Sequence, residues 1–394
     1  MITSLPRPRL LLGPGPSDVP SSVLEAMRHP VVGHLDPGYL ALMDRVQAKL
    51  RVAFGTSNEW TWALPGTGTS GMEACLANLL APGDRAVVGV AGYFGARLAE
   101  IAARVGADVR VVEANWGEIV SVDRLVAEIR ETRPRVVALV QAETSTGIEQ
   151  PLTEAITAAH DVGALMVVDA VTSFCGLPLR VDALGIDAAY SCTQKCVGAP
   201  PGLAPITLSA GAREAILARS KPTTFYLDLA LLAKYWSGER VYHHTAPASL
   251  FYALETALDL VLAEGLEARW ARHRLHHRAL VAAFDLLGLS LASVVEHQLP
   301  TLHAVRVPDG VDEARVRIAL REAHDIEIGA GLGPWRGQVW RVGLMGGSSE
   351  PAKLVRFVQA FAEVLRDEGH RGSSSGGPDD AVRAVEQVLA AASN

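Results

Sequence analysis

The chain has 394 residues, 49% hydrophobic and 20% charged, a composition that supports a globular fold with apolar material for two cores and excludes wholesale disorder. A formal net charge of −7 without a block of like charges lacks the basic face of a nucleic-acid binder, which leaves small molecules as the default partners. No continuous apolar run approaches the ~20 residues of a membrane-spanning helix.

Residues 1–20, containing Gly13-Pro14-Gly15-Pro16, form an N-terminal arm. Met1 to Arg9 holds no apolar stretch of signal-peptide length, so a cytoplasmic protein is expected. Residues 21–262 make a large domain. From about Trp60 to Ser209 its short β-branched runs, Ala86–Val90, Val109–Val112, Val136–Val140, Leu165–Asp169 and Ala188–Ser191, predict strands. Amphipathic stretches lie between them, at Gly71–Leu80, Ala96–Val105, Val122–Glu131 and Leu152–Val162, and predict helices. That alternation is the pattern of an α/β domain around a mostly parallel sheet, whose chemistry gathers in the loops leaving the carboxyl ends of the strands.

Ser249 to Arg278 reads as a long helical region bridging two domains. Its His273, His276 and His277 have a spacing that can bind metal, but arginines at 272, 274 and 278 oppose a cation, so a solvated basic face is expected and no metal. Residues 263–371 form a smaller α+β domain, with strands at Thr301–Val307 and Val339–Gly343 and helices at Asp312–His324 and Ala352–Asp367. Residues 372–394 are a Gly/Ser linker, Gly372–Gly377, and a C-terminal helix from Pro378 to Ala392. The four cysteines, Cys75, Cys175, Cys192 and Cys196, are too few for a disulfide scaffold and suit a reducing compartment. Cys192 and Cys196 bracket Lys195, and with no second pair at zinc spacing they read as buried packing residues.

Three signals converge on one kind of chemistry. Leu64-Pro-Gly-Thr-Gly-Thr-Ser-Gly71 leads straight into a helix, which makes it a phosphate cradle of glycines, hydroxyls and free N–H groups at a positive dipole end. It lacks the Lys-Ser/Thr ending of a nucleotide P-loop and the glycine spacing of a dinucleotide fingerprint, which favours a monophosphate; on its own it could equally be a capped turn. Met166–Asp169 is an apolar strand ending in a carboxylate that needs a partner, such as a protonated ring nitrogen, unless Asp169 merely shapes a turn. Lys195 follows the next strand, 26 positions after Asp169, in a segment otherwise uncharged from Ala188 to Ser209, where its neutral amine becomes available for a Schiff base. A cradle, a ring-nitrogen acid and a lone lysine on one rim match the demands of pyridoxal phosphate.

The chain also resembles, nearly end to end, the class V aminotransferases of fold type I, and within them the alanine-glyoxylate and serine-glyoxylate group. The matching stretches run from Leu10-Leu-Leu-Gly-Pro-Gly-Pro-Ser17 through Gln141-Ala-Glu-Thr-Ser-Thr-Gly147, Gln194-Lys195, Pro200-Pro-Gly202 and Tyr242-His-His-Thr-Ala-Pro247 to Trp340-Arg-Val-Gly-Leu-Met-Gly346. The resemblance implies a seven-stranded large-domain sheet and a pyridoxal phosphate held by Lys195, which shuttles the proton once substrate frees it. It implies Asp169 on the pyridinium nitrogen, and Thr67, Gly68, Thr69 and Gln194 on the phosphate. Phe94 stands where relatives often carry Trp stacked on the ring, with Tyr93 as the alternative; Val171 packs on the opposite face and Thr144 lies near the phenolic oxygen. It further implies a homodimer with shared sites, in which Tyr242 and Thr245 reach the neighbouring subunit's phosphate. Arg341 then pairs with the substrate carboxylate.

Glyoxylate is the implied acceptor and alanine or serine the implied donor. Ureidoglycine-glyoxylate enzymes tend to carry Gln and Asn at the positions of His34 and Tyr242, so these two residues favour a simple donor. Pyridoxamine-pyruvate enzymes share the Lys195-Cys196 loop. Cysteine desulfurases need a reactive cysteine on the small domain, and none lies beyond Cys196. A non-catalytic protein with a fossil site is disfavoured because every expected position holds a suitable residue.

Overall fold

The computed structural model describes residues 7–219, 222, 224–372 and 377–392. Seven strands build the main sheet: β1 (Trp60–Pro65), β2 (Arg85–Val90), β3 (Asp108–Glu113), β4 (Val136–Val140), β5 (Leu165–Asp169), β6 (Ala188–Tyr190) and β7 (Leu203–Leu208), in the spatial order β1-β7-β6-β5-β4-β2-β3. All the pairings among β2 to β6 are parallel, and β7 alone runs antiparallel to both its neighbours. The expected mostly parallel seven-stranded sheet is therefore present. Its interior strand β4 is buried at every position because helices cover both faces, whereas edge strand β3 alternates charge with valine and stays largely exposed.

The register fixes the chemistry-bearing rim. Asp169, the last residue of β5, lies opposite Val140 on one side and Tyr190 on the other. The loops after β4, β5 and β6 thus leave the sheet side by side.

A second core gathers Leu10, Leu12, Leu280, Phe284, Trp340, Phe357 and Phe361 around a three-stranded antiparallel sheet, β8 (Leu302–Arg306), β9 (Gly329–Ala330) and β10 (Val339–Gly343), in the order β8-β10-β9. The arm is tied to it, since Leu10–Leu11 pairs in parallel with Ile326–Glu327. The tail helix, Pro378–Ala391, buries Ala381 and Val385 in the same core. The Gly/Ser linker reading falls largely on residues 373–376, outside the described residues.

The long helical region expected from Ser249 to Arg278 is built of two helices, Ala248–Glu264 and Leu266–Leu286, because Gly265 at φ +83° ends one and starts the next, and one expectation within it fails. The histidines of the second helix do not form a solvated face: His273 and His276 are buried and His277 half-buried. His273 Nδ1 lies 2.8 Å from the Arg269 carbonyl, so its Nε2 accepts from Gly346 N–H at 3.2 Å. His276 Nδ1 meets Ser349 Oγ at 2.8 Å. Helical periodicity turns these rings onto the 346–349 turn while arginines at 274 and 278 face water.

Candidate active site

A carboxylate at the end of a buried strand is costly without donors. Asp169 finds two: Val171 N–H donates to Oδ1 at 2.8 Å and the Tyr190 hydroxyl to Oδ2 at 2.7 Å. Burial still lifts its pKa to about 6, against the pull of those bonds, with Glu143 adding to the rise and Lys195 opposing it. The turn bond to Val171 is real, but Tyr190 reaching across from β6 goes beyond a turn residue's needs.

Lys195 sits in the turn after β6 and is half-buried, with Nζ donating to the Pro14 carbonyl. A Cβ at Gly15 would fall 2.5 Å from Nζ, so the arm approaches the amine by virtue of that glycine. The lysine's backbone is pinned by Ser17 Oγ, which donates to the Lys195 carbonyl at 2.7 Å, and by Arg269 Nη2, which donates to the Cys196 carbonyl at 2.6 Å. Burial lowers the Lys195 pKa; Cys192 opposes this, and the charge of Arg341 adds to it. Burial also pushes the Cys192 thiol up to about 12 and Cys196 to about 11, so both are inert packing groups.

The cradle opens the helix Gly68–Leu79. Thr67 stands at the cap position, yet its hydroxyl caps nothing, and Ser70 N–H turns back to the Thr67 carbonyl at 2.8 Å. The N–H groups of Gly68 and Thr69 have no partner among the described residues, which leaves two donors on a positive helix end. A Cβ on Gly68 would meet Val171 at 2.8 Å and Cys192 at 3.4 Å, so only glycine lets the cradle close on the loops after β5 and β6. The Gln194 side-chain amide likewise makes no hydrogen bond among the described residues, and its Oε1 is buried.

Arg341, on β10, is 7% exposed, and no carboxylate lies within ion-pair distance among the described residues. Its Nε donates to the Ala330 carbonyl at 2.7 Å and Nη1 to the Thr144 carbonyl at 3.4 Å. Burial lowers its pKa to about 10, with Glu143 as the opposing charge. Thr144 Oγ1 lies 2.5 Å from Thr172 Oγ1. The chain thus converges an anion-ready helix end, an amine with a lowered pKa, a buried acid and a buried guanidinium that has no ion-pair partner among the described residues. A cavity of about 710 Å³ lies elsewhere, lined by Gln141, Pro178, Arg180, Trp270 and His297 among others, and holds none of these groups.

Residues 9–334 match the family described as aminotransferase class-V. The chain belongs to the class V aminotransferases. It is 38% identical to an alanine-glyoxylate aminotransferase of Drosophila melanogaster over 364 residues, covering 91% of this chain and 92% of the relative. Among solved structures, an alanine-glyoxylate aminotransferase from Nostoc sp. superposes with a TM-score of 0.91 at 48% identity, covering 93% of this chain and 97% of its own. A ureidoglycine-glyoxylate aminotransferase from Bacillus subtilis superposes with a TM-score of 0.95 at 37% identity, covering 99% and 100%.

Class V aminotransferases depend on pyridoxal phosphate, and the donor set of this aminotransferase fits that group. The free N–H pair at the helix end suits a phosphate. Asp169, lifted to about 6 by burial, would regain its charge beside a protonated ring nitrogen. Phe94 is half-buried against the main core, whereas Tyr93 is 43% exposed.

His34, Tyr242 and Thr245 lie apart from this cluster in the aminotransferase chain. The His34 and Tyr242 rings pack at 4.7 Å, and Tyr242 OH lies 3.5 Å from Thr245 Oγ1. Tyr242 is 55% exposed, and no hydrogen bond, ion pair or ring contact joins the three to Lys195, Asp169 or Arg341 among the described residues.

Glu143, Tyr190, Ser17 and Arg269 were not singled out from the sequence. Glu143 is 1% exposed, and burial raises its pKa. It accepts from Phe94 and Gly95 N–H, both at 3.1 Å, and from Ser145 Oγ at 2.6 Å, and so caps the helix Tyr93–Val105. Its signal was available, since it follows a buried apolar strand as Asp169 does.

Proposed function

We propose that this aminotransferase moves the amino group of alanine or serine to glyoxylate, giving glycine and a 2-oxo acid. The observation that carries the reading is Arg341: a buried guanidinium with no ion-pair partner among the described residues, electrostatically coupled to Lys195, suits the one group that donor and acceptor share, a carboxylate. Glu143 offsets its charge only from beyond ion-pair distance, so a bound substrate carboxylate would complete the pair.

In this reading Thr67, Gly68, Thr69 and Gln194 would hold the cofactor's phosphate, and Lys195 would hold the cofactor through Nζ. Asp169 would accept from the ring N–H, while Tyr190 orients the acid's other oxygen. Phe94 and Val171 would pack on the ring, and Thr144 would serve its phenolic oxygen. When bound, the cofactor supplies an electron-withdrawing ring conjugated to the substrate's Cα. Lys195, whose ammonium burial disfavours, would act as the base that holds and returns the proton of the substrate's Cα. Arg341 would hold the substrate carboxylate and so orient the substrate towards that amine.

The exposed Tyr242 and Thr245 act on the cofactor of a second subunit in a homodimer, and His34 beside Tyr242 lines the donor's side chain. Val31, Leu35, Phe225 and Val241, all exposed apolar residues, support a covered surface there. The four buried free thiols support a cytoplasmic location. Near-complete coverage of the Bacillus subtilis enzyme supports a second reading, with (S)-ureidoglycine as the donor.

A panel of alanine, serine, ureidoglycine and pyridoxamine with glyoxylate or pyruvate, with glycine and the 2-oxo product quantified, tests the proposal. Highest kcat/KM for alanine or serine with glyoxylate is expected. A preference for ureidoglycine or pyridoxamine overturns the donor, and bleaching of the bound cofactor by none of them overturns catalysis itself.

A further inference from the structure

Arg97 belongs to no part of the site described so far. It lies on the helix Tyr93–Val105, one turn beyond its start, half-buried, with no carboxylate in ion-pair distance among the described residues. Two contacts define it. Its Nη1 donates to Thr69 Oγ1 at 3.1 Å, and its guanidinium carbon lies 5.0 Å from the centre of the Phe94 ring and 5.1 Å from that of Tyr93. The rings themselves meet edge to face, with centroids 5.6 Å apart. One planar cation therefore touches a residue of the phosphate cradle and both aromatics that could cover the cofactor's ring.

We propose that Arg97 is a positioning residue that locks the Thr69 hydroxyl and the Phe94 ring into one rigid unit, so that the phosphate grip and the ring-stacking face are set together. This rests on the cofactor reading above. The physical case is one of mutual restraint. Thr69 is exposed at the second residue of its helix, and its hydroxyl makes no other hydrogen bond among the described residues. Phe94 has its N–H held by Glu143, but its ring direction is set by what lies over it, and a guanidinium stacked on the ring restricts that. The two groups come from the first turns of different helices, Gly68–Leu79 and Tyr93–Val105, so nothing local in sequence couples them. Arg97 also brings an unneutralised positive charge close to where the phosphate would sit, an attraction that survives in a partly buried site better than in open water.

The test uses the full-length protein stripped of cofactor and titrated with pyridoxal phosphate. Arg97→Gln keeps a polar side chain while losing the charge and the stacked fork, and is expected to raise the dissociation constant about tenfold, because Thr69 and Phe94 are no longer held in place and a positive charge near the phosphate is lost. The melting temperature of the cofactor-free variant should fall by a few degrees at most, with a larger loss in the rise that saturating cofactor produces. Arg97→Lys should recover part of the affinity, because it keeps the cation but not the fork. Thr69→Ala and the double variant complete a cycle: if Arg97 acts through Thr69, the double loses less than the sum of the singles. Full additivity, an unchanged dissociation constant in Arg97→Gln, or equal destabilisation of cofactor-free and loaded protein overturns the inference. Failure of the wild-type protein to bind pyridoxal phosphate would instead overturn the cofactor reading, so the two failures are distinguishable.

Discussion

Replacing Arg341 by lysine separates the carboxylate role from every other property of the site. The arginine is 7% exposed, its Nε is held by the Ala330 carbonyl at 2.7 Å and its Nη1 by the Thr144 carbonyl at 3.4 Å, so the fork is already aimed before substrate arrives. Lysine retains a positive charge but presents a point instead of a plane, cannot make the bidentate pair, and leaves the Ala330 carbonyl without its donor. A buried charged hydrogen-bond pair that loses one partner costs on the order of 2 to 5 kcal/mol in binding. Retention of the charge places Arg341→Lys near the lower end, about a thirtyfold loss, and Arg341→Met near the upper end, on the order of a thousandfold or more. Steady-state kcat/KM for alanine, serine and glyoxylate should fall together, while the visible absorbance of the bound cofactor and its affinity stay as in wild type. Near-normal kcat/KM in Arg341→Lys would refute the reasoning, and so would a loss confined to one substrate, since a shared carboxylate cannot be recognised selectively.

Mixing inactive Lys195→Ala and Tyr242→Ala protomers under subunit exchange should restore activity, because each hybrid dimer has one site with both lesions and one with neither; confirmed hybrids without activity would contradict the shared site. In the cofactor-free protein Asp169 titrates near pH 6 against 3.8 for the ordinary group, so the native state binds more protons than the unfolded one and stability falls as pH rises from about 4 to about 6. That loss is on the order of 3 kcal/mol and should be absent in Asp169→Asn when urea midpoints are compared across the range. Val385→Asp, which puts a charge where the tail helix meets the second core, should lower stability by about 2 to 4 kcal/mol with little change in cofactor affinity, as read by thermal melting with and without cofactor.

Much of this was legible in the sequence because charge in an apolar run is conspicuous. Asp169 and Lys195 each follow a strand that is otherwise uncharged, and a largely parallel sheet delivers such residues to the same rim. The glycine of the cradle was legible as a turn, but not its reason, which is contact with Val171 and Cys192 from distant loops. The break at Gly265 was hidden because a lone glycine within a helical stretch is tolerated and does not by itself mark an end. His273 and His276 were misread from their arginine neighbours, since flanking composition outweighed the periodicity that turns them inward. Glu143 and Arg269 serve backbone groups far along the chain, Phe94 and Gly95 in one case and Cys175 and Cys196 in the other, and no local pattern announces such partners. His34 and Tyr242 were assigned together by resemblance; their ring contact depends on a fold that joins positions 208 residues apart.

The central claim is that Lys195 is the amine on which the cofactor is carried, and reductive trapping addresses it directly. Borohydride treatment of the protein loaded with pyridoxal phosphate, followed by proteolysis and mass mapping, should place one pyridoxyl group on the peptide containing Lys195, with none in Lys195→Ala. Stoichiometric label on another lysine, or label that persists in Lys195→Ala, would contradict the account.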